Sequence, residues 1–311
     1  MTLVLYAGDP AEGEAWRDRV LALRPDLDFR LDIEGTDPED VDILVYEASG
    51  PVEDLAPYAG VAAIQNLWAG VEAILANPTL PSGTTLCRMV EAGLTIGMTD
   101  YVAGHVLRLH LGMDAHRENQ ARRAWSEDNP PLSTDRSIGI VGLGVLGRDV
   151  AEKLAFLRFD VSGWSRTAKE IDGVRCLHGA EGFATLLAES DILVLLAPLT
   201  PETENLIDAA AIARMKPGVH LVNVARGPMI DDAALLAALD DGRVGSATLD
   251  VFRIEPLPTD HPYWGHPSVT VSPHIASITR PETAARTIVE QVDRFERAEP
   301  FAHVVDRKSG Y

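Results

Sequence analysis

Short β-type runs alternate with helix-type segments along almost the whole of this chain, which restricts it to parallel α/β architecture. In the first third the candidate strands are Leu3–Ala7, Asp28–Leu31, Val41–Tyr46, Ala62–Leu67 and Thr85–Met89, with a helix over about Ala11–Leu23. A long helix follows over about Thr99–Gln120, opened by the cap-type pair Thr99-Asp100. The proline-interrupted stretch Trp125–Asp135 reads as a loop between domains. A second series then runs Ser137–Val141, Asp160–Trp164, Asp191–Leu196, Val219–Val224, Gly245–Leu249 and Val269–Val271. Helices are expected over about Leu146–Leu157, Ala180–Glu189, Ala209–Met215, Asp231–Asp240 and Pro281–Arg297. No repeat interrupts the pattern. Two α/β units is the economical reading.

A chain of 311 residues is long enough for two domains that each bury a core. No apolar run approaches the roughly 20 residues of a membrane helix. The opening Leu3-Val4-Leu5-Tyr6 is too short for a signal-peptide core and reads as a first strand. The two cysteines, Cys87 and Cys176, exclude a disulfide scaffold or a cysteine zinc site and fit a reducing cytoplasm. A net charge of −20 argues against a nucleic-acid partner, whose phosphates it would repel. An acidic protein that handles anions must gather positive groups where they bind, so arginines inside motifs carry particular weight.

One strand-to-helix junction holds Gly142-Leu143-Gly144-Val145-Leu146-Gly147, behind the buried-type run Ile138-Gly139-Ile140-Val141. In this context Gly142 permits the tight turn, Gly144 lets backbone approach a pyrophosphate, and Gly147 lets helix pack on strand. The helix-start amides of Val145 and Leu146 then face the phosphates. The tip of the next strand reports on the dinucleotide. An NAD site places an acidic residue there for the ribose hydroxyl, whereas Trp164 is followed by Ser165-Arg166-Thr167. A guanidinium and two hydroxyls suit a 2′-phosphate, which predicts NADP(H) over NAD(H).

Arg226 ends the strand run Val222-Asn223-Val224-Ala225, at the carboxyl edge where α/β sheets bind ligands. Its planar guanidinium can hold a carboxylate bidentately and polarise the adjacent carbonyl. Glu255 follows Asp250-Val251-Phe252-Arg253-Ile254, with Pro256 expected to keep it extended. His274 follows Ser272-Pro273 just beyond a strand. A carboxylate on the imidazole favours its protonated form, and the charged ring can then give a proton to a carbonyl oxygen as hydride reaches the carbon. His105, His110 and His116 fall on the long helix at spacings that suggest packing or solvent, and no His, Asp or Glu cluster has metal-ligand spacing.

These motifs, in this order, resemble those of the D-isomer-specific 2-hydroxyacid dehydrogenases over essentially the whole length. Gly163-Trp164-Ser165-Arg166-Thr167, Ile278-Thr279-Arg280-Pro281 and Gly310-Tyr311 bring the likeness closest to the branch that reduces glyoxylate to glycolate and hydroxypyruvate to D-glycerate with NADPH. The resemblance implies two Rossmann-like, doubly wound parallel-sheet domains. A nucleotide domain over 100–281 is inserted into a flavodoxin-like substrate domain of 1–99 and 282–311. It implies that Arg226, Glu255 and His274 are catalytic. It places the carboxylate-binding loop at Trp68-Ala69-Gly70-Val71, through the amides of Ala69 and Gly70, with Trp68 either walling the pocket or packing in the core. It assigns nucleotide contacts also to Ala197, Pro198, Thr203, Val224, Ala225, Arg226, Asp250, His274 and Ala276. It implies a homodimer formed through about Thr99 to Trp125. Two departures stand out: Gly104 occupies the position of the family's acidic residue in the long helix, and Glu72 replaces the more usual Asp after the substrate loop.

Two rival readings share this fold. A dinucleotide-sensing, corepressor-like regulator accommodates the same three side chains, but the strong acidity and absence of a basic segment favour a metabolic enzyme. Formate dehydrogenase chemistry needs no proton donor matched to a carbonyl.

Overall fold

The computed structural model describes every residue except Asp128, Ser309 and Tyr311. The terminal motif Gly310-Tyr311 therefore lies partly outside the described residues. The chain separates into two compact units, Met1–Leu94 with Ile278–Tyr311, and Thr95–Ser277.

The first unit is a five-stranded parallel sheet of β1 (Leu3–Ala7), β2 (Asp28–Arg30), β3 (Ile43–Tyr46), β4 (Ala63–Asn66) and β5 (Thr85–Cys87), ordered β2-β1-β3-β4-β5. β1, β3 and β4 are buried on both faces, which is why they read as continuous apolar runs rather than alternating ones. Helix α1 (Gly13–Leu23) follows β1, and the single turn α2 (Glu72–Leu75) follows β4. The last helix, α9 (Pro281–Glu296), returns to this unit. It packs Ala284, Ala285, Ile288 and Val292 with Trp16 and Val20 of α1 over Val4 and Tyr6. A proline in its first turn ends the preceding loop sharply.

The long helix expected over Thr99–Gln120 is corrected at both ends. Helix α3 (Ala92–His110) begins seven residues earlier, where the Glu91 carboxylate accepts the amides of Gly93 and Leu94 and so performs the capping expected of Thr99-Asp100. Thr99 lies inside the helix and donates to Asp149 at 2.6 Å. At the other end Gly112 adopts φ +61° and breaks the helix before α4 (Met113–Arg122). No residue of α4 is buried, and Trp125 just beyond it is 92% exposed. The expected loop over Trp125–Asp135 holds one 3₁₀ turn at Ser133–Asp135 among the described residues.

The second unit is a seven-stranded parallel sheet. Its strands are β6 (Ser137–Val141), β7 (Asp160–Ser165), β8 (Arg175–His178), β9 (Ile192–Leu195), β10 (Val219–Asn223), β11 (Val244–Leu249) and β12 (Val269–Val271), ordered β12-β11-β10-β9-β6-β7-β8. Helices α5 (Val145–Phe156), α6 (Gly179–Glu189), α7 (Ala209–Arg214) and α8 (Asp232–Asp240) connect them. β8 is an addition to the expected strands. It is a polar edge strand, Arg-Cys-Leu-His, too short and too charged for a hydrophobic period to show. Winding reverses at β6, so the carboxyl ends of β6 and β9 flank the crevice where such sheets bind ligands. Met98, Val102 and Val106 of α3 pack into this unit's core beside Ile138 and Ile140.

Candidate active site

Three glycines shape the turn from β6 to α5. Gly142 has φ +106°, and a Cβ there would sit 2.6 Å from the Ala197 amide nitrogen. A Cβ on Gly147 would fall 1.8 Å from the Gly142 carbonyl oxygen, so the helix rests directly on the turn. Beside Gly144 a Cβ would meet nothing, which leaves the surface there open to a ligand. Gly144 is also the cap of α5 and makes no side-chain cap bond, so the first-turn amides of Val145, Leu146 and Gly147 keep no intrahelical acceptor. That set of donors at a positive helix end fits a pyrophosphate.

Ser165, Arg166 and Thr167 follow at the carboxyl end of β7, with the Ser165 hydroxyl donating to the Thr167 carbonyl at 2.7 Å. Glu202, on the loop after β9, is held below the usual carboxylate range by its hydrogen bond with Thr200, and more weakly by Arg166. Arg166 thus stands within electrostatic reach of the loop that follows β9. The remaining positions assigned to the nucleotide end the same strands. Ala197, Val224, Ala225 and Ala276 are buried, and the Thr203 hydroxyl donates to the Pro198 carbonyl at 2.8 Å.

Arg226, Glu255 and His274 leave the carboxyl ends of the neighbouring strands β10, β11 and β12. Asn223 shapes the first exit: 1% exposed, it accepts the Ala225 amide and donates to the Arg226 carbonyl, both at 3.1 Å. Gly227 then allows a close approach that no other residue permits, because a Cβ would fall 1.9 Å from the Phe252 carbonyl carbon. The two loops can therefore lie against one another, with Arg226 near Glu255. The Glu255–Pro256 peptide is cis. One Glu255 oxygen accepts the Phe252 amide at 2.8 Å and the other meets His274 Nδ1 at 2.8 Å. Nδ1 is thereby engaged, and Nε2 is the ring nitrogen left for chemistry.

Burial alone would raise the Glu255 carboxyl, yet the hydrogen bonds from His274 and Phe252 and the charges of His274 and Arg226 outweigh it and hold the group below its usual range. A carboxyl lowered in the folded state supports the fold above its unfolded value and loses that support only as pH falls through the lower folded value. The His274–Glu255 pair is therefore expected to persist through the ordinary glutamate range near about 4.3. A ¹³C NMR titration of the Glu255 carboxyl checks this. A midpoint at or above the ordinary value contradicts the assigned hydrogen bonds.

In the first unit the loop Trp68-Ala69-Gly70-Val71 turns its carbonyls inward. The Asn66 amide donates to the Trp68 and Gly70 carbonyls at 2.9 Å each, Met89 donates to Trp68, and Thr279 donates to Leu67 at 2.6 Å. The amides of Ala69, Gly70 and Val71 donate to no acceptor among the described residues. Trp68 is half-buried and packs against the core. Asn66 and Thr279 hold this loop; sequence reading assigned Asn66 no role and showed Thr279 only within a motif, although a buried asparagine at a strand end was an available signal. Among the described residues no group of three His, Cys, Asp or Glu is placed to hold a metal, and no helix is long and apolar enough to cross a membrane.

Residues 103–276 match the family model of the D-isomer specific 2-hydroxyacid dehydrogenase, NAD binding domain. The chain belongs to the D-isomer specific 2-hydroxyacid dehydrogenase family. It is 37% identical over 306 residues to a glyoxylate/hydroxypyruvate reductase A of Yersinia enterocolitica, covering 96% of this chain and 97% of that one. It is 41% identical over 266 residues to the protein of that name from Photorhabdus laumondii, covering 84% and 85%. Among solved structures, a family member from Xanthobacter autotrophicus Py2 in complex with NADPH and MES aligns with a TM-score of 0.94 at 38% identity, over 100% of this chain and 99% of that one. An NADPH-dependent glyoxylate/hydroxypyruvate reductase from Sinorhizobium meliloti, in complex with NADP and sulfate, aligns at 0.91 and 32% identity over the whole of both chains.

Proposed function

We propose that the protein is an NADPH-dependent reductase of small 2-oxo acids, converting glyoxylate to glycolate and hydroxypyruvate to D-glycerate. The observation that carries this reading is the 2.8 Å His274–Glu255 pair, with Arg226 beside it, at the carboxyl ends of three adjacent strands. Such a set has the parts of a carbonyl reduction: an acid, the group that orients it, and a cation for the substrate.

The turn Gly142–Gly147 and the first amides of α5 would hold the dinucleotide pyrophosphate, and Ser165, Arg166 and Thr167 its 2′-phosphate. A reduced nicotinamide bound there supplies a hydride. Arg226 binds the oxo-acid carboxylate and draws electron density from the neighbouring carbonyl. His274 donates a proton from Nε2 to the carbonyl oxygen, so that no free alkoxide accumulates. Glu255 holds Nδ1 at 2.8 Å and so sets the ring's orientation. The outward amides of Ala69 and Gly70 suit a carboxylate, in the manner of backbone anion nests.

A panel of glyoxylate, hydroxypyruvate, pyruvate and phenylpyruvate, each with NADPH and NADH, tests the reading. The first two substrates with NADPH should give the highest kcat/KM. Failure to turn over any of the four would favour a dinucleotide-sensing regulator. Arg166→Ala should cut kcat/KM for NADPH by an order of magnitude or more while leaving NADH use nearly unchanged, since a charge-assisted pair with phosphate contributes about 1.5–3 kcal/mol. Equal loss with both nucleotides would remove Arg166 from phosphate recognition.

A further inference from the structure

His274 sits at φ +54°, in the left-handed region that a histidine keeps only where its surroundings impose it. Its amide donates to the Asp250 carbonyl at 2.8 Å and to the Ser272 carbonyl at 3.1 Å. The next two amides, of Ile275 and Ala276, donate to the two carboxylate oxygens of Asp250 at 2.9 Å each. Asp250 is 1% exposed, so its carboxylate depends on protein donors. A third donor is the Ser272 hydroxyl, 2.7 Å from Oδ1.

Ser272 has one hydroxyl proton, and it is committed to an acceptor-only carboxylate. The second hydrogen bond on Ser272 Oγ, shared with the Tyr101 hydroxyl, must therefore be donated by Tyr101. Burial pushes the Tyr101 phenol up to about 12, so it keeps that proton at neutral pH. The direction runs from Tyr101 to Ser272 to Asp250. Helix α3, which carries Tyr101, is tied at a second point, where Arg108 donates to Thr270 of β12 at 2.8 Å.

We infer that Tyr101 and Ser272 are positioning residues for the reduction: acting through Asp250, they fix the backbone turn that aims the His274 imidazole. Neither residue has a hydrogen bond to the His274 ring or to Glu255. Their contribution is to keep Nδ1 on Glu255 and Nε2 on the substrate side. The inference rests on reading His274 as the proton donor.

Tyr101→Phe removes the donor and keeps the ring. It should lower kcat for hydroxypyruvate about tenfold, because small misplacements of a catalytic group are costly. KM and the NADPH Kd should stay close to the parent values. Ser272→Ala should behave alike, and Ser272→Thr, which restores a hydroxyl at the same carbon, should recover most of the rate. Combining Tyr101→Phe with Ser272→Ala should lose little more than either alone, as expected of links in one chain. A parent kcat in Tyr101→Phe, a Ser272→Thr as slow as Ser272→Ala, or a parallel loss of NADPH affinity would each overturn the inference. His274→Ala measured alongside separates the two levels. If it keeps the parent kcat, the proton-donor reading itself fails; if it collapses while Tyr101→Phe is unaffected, only the positioning role fails.

Discussion

Replacing His274 by alanine is expected to lower kcat for glyoxylate and hydroxypyruvate by roughly 10²–10⁴-fold, the usual contribution of a positioned general acid. NADPH affinity should change little, because the proposed pyrophosphate and 2′-phosphate contacts lie at the glycine turn and the β7 tip. The geometry makes the prediction specific. Nδ1 is 2.8 Å from Glu255, so Nε2 is the nitrogen that can deliver a proton, and the three histidines of the expected long helix are placed otherwise. His110 is buried against Phe159, His105 packs tilted against Tyr101, and His116 is exposed on α4. Steady-state kcat and a fluorescence titration of NADPH binding check it together. An unchanged kcat would remove His274 from the acid role, and a collapse of both quantities would make it a structural residue.

Arg226→Ala is expected to reduce kcat/KM for oxo acids by about 10²–10³-fold, with a far smaller effect on the NADPH Kd. A half-buried guanidinium in the proposed role, binding the carboxylate and polarising the carbonyl, acts more strongly in the transition state than in the ground state. Part of the loss should therefore appear in kcat. Arg226→Lys should recover only a fraction, since a point charge cannot reproduce a bidentate fork. Arg226 also lies beside Glu255, whose carboxyl it helps to keep ionised. The alanine variant is thus expected to weaken the His274–Glu255 pair as well, so a double substitution with Glu255 should be less than additive. Normal substrate kinetics in Arg226→Ala would refute the anchor.

Much of the architecture was legible because it is written in local patterns. Strands buried on both faces appear as apolar runs, and the glycine spacing at Gly142, Gly144 and Gly147 reports a turn within a few residues of itself. Most helix ends were legible within one or two residues. α3 was not, because its start is capped by Glu91 two residues ahead of a glycine, a signal that Thr99-Asp100 imitated more convincingly further on. β8 was missed because an exposed edge strand has no buried face to set a period.

The side chains proposed to react could be named from sequence, but what holds them could not. Asp250 was expected to meet the nucleotide; in the structure its carboxylate accepts the Ser272 hydroxyl and the amides of Ile275 and Ala276, and so holds the His274 turn. Tyr101 and Ser272 are 171 residues apart in the chain, a distance over which no periodicity carries information. Gly227 permits the close approach of Phe252, which no local pattern announces. These contacts belong to tertiary packing, and a single sequence records them only as residues of unremarked type.

Hydroxypyruvate reduced with NADPH deuterated at nicotinamide C4, on the transferred face, gives the most direct test. The product's mass and configuration should show D-glycerate with one deuterium on C2, formed in step with nucleotide oxidation. Unlabelled glycerate, the L isomer, or nucleotide consumption without glycerate would contradict the assigned reaction.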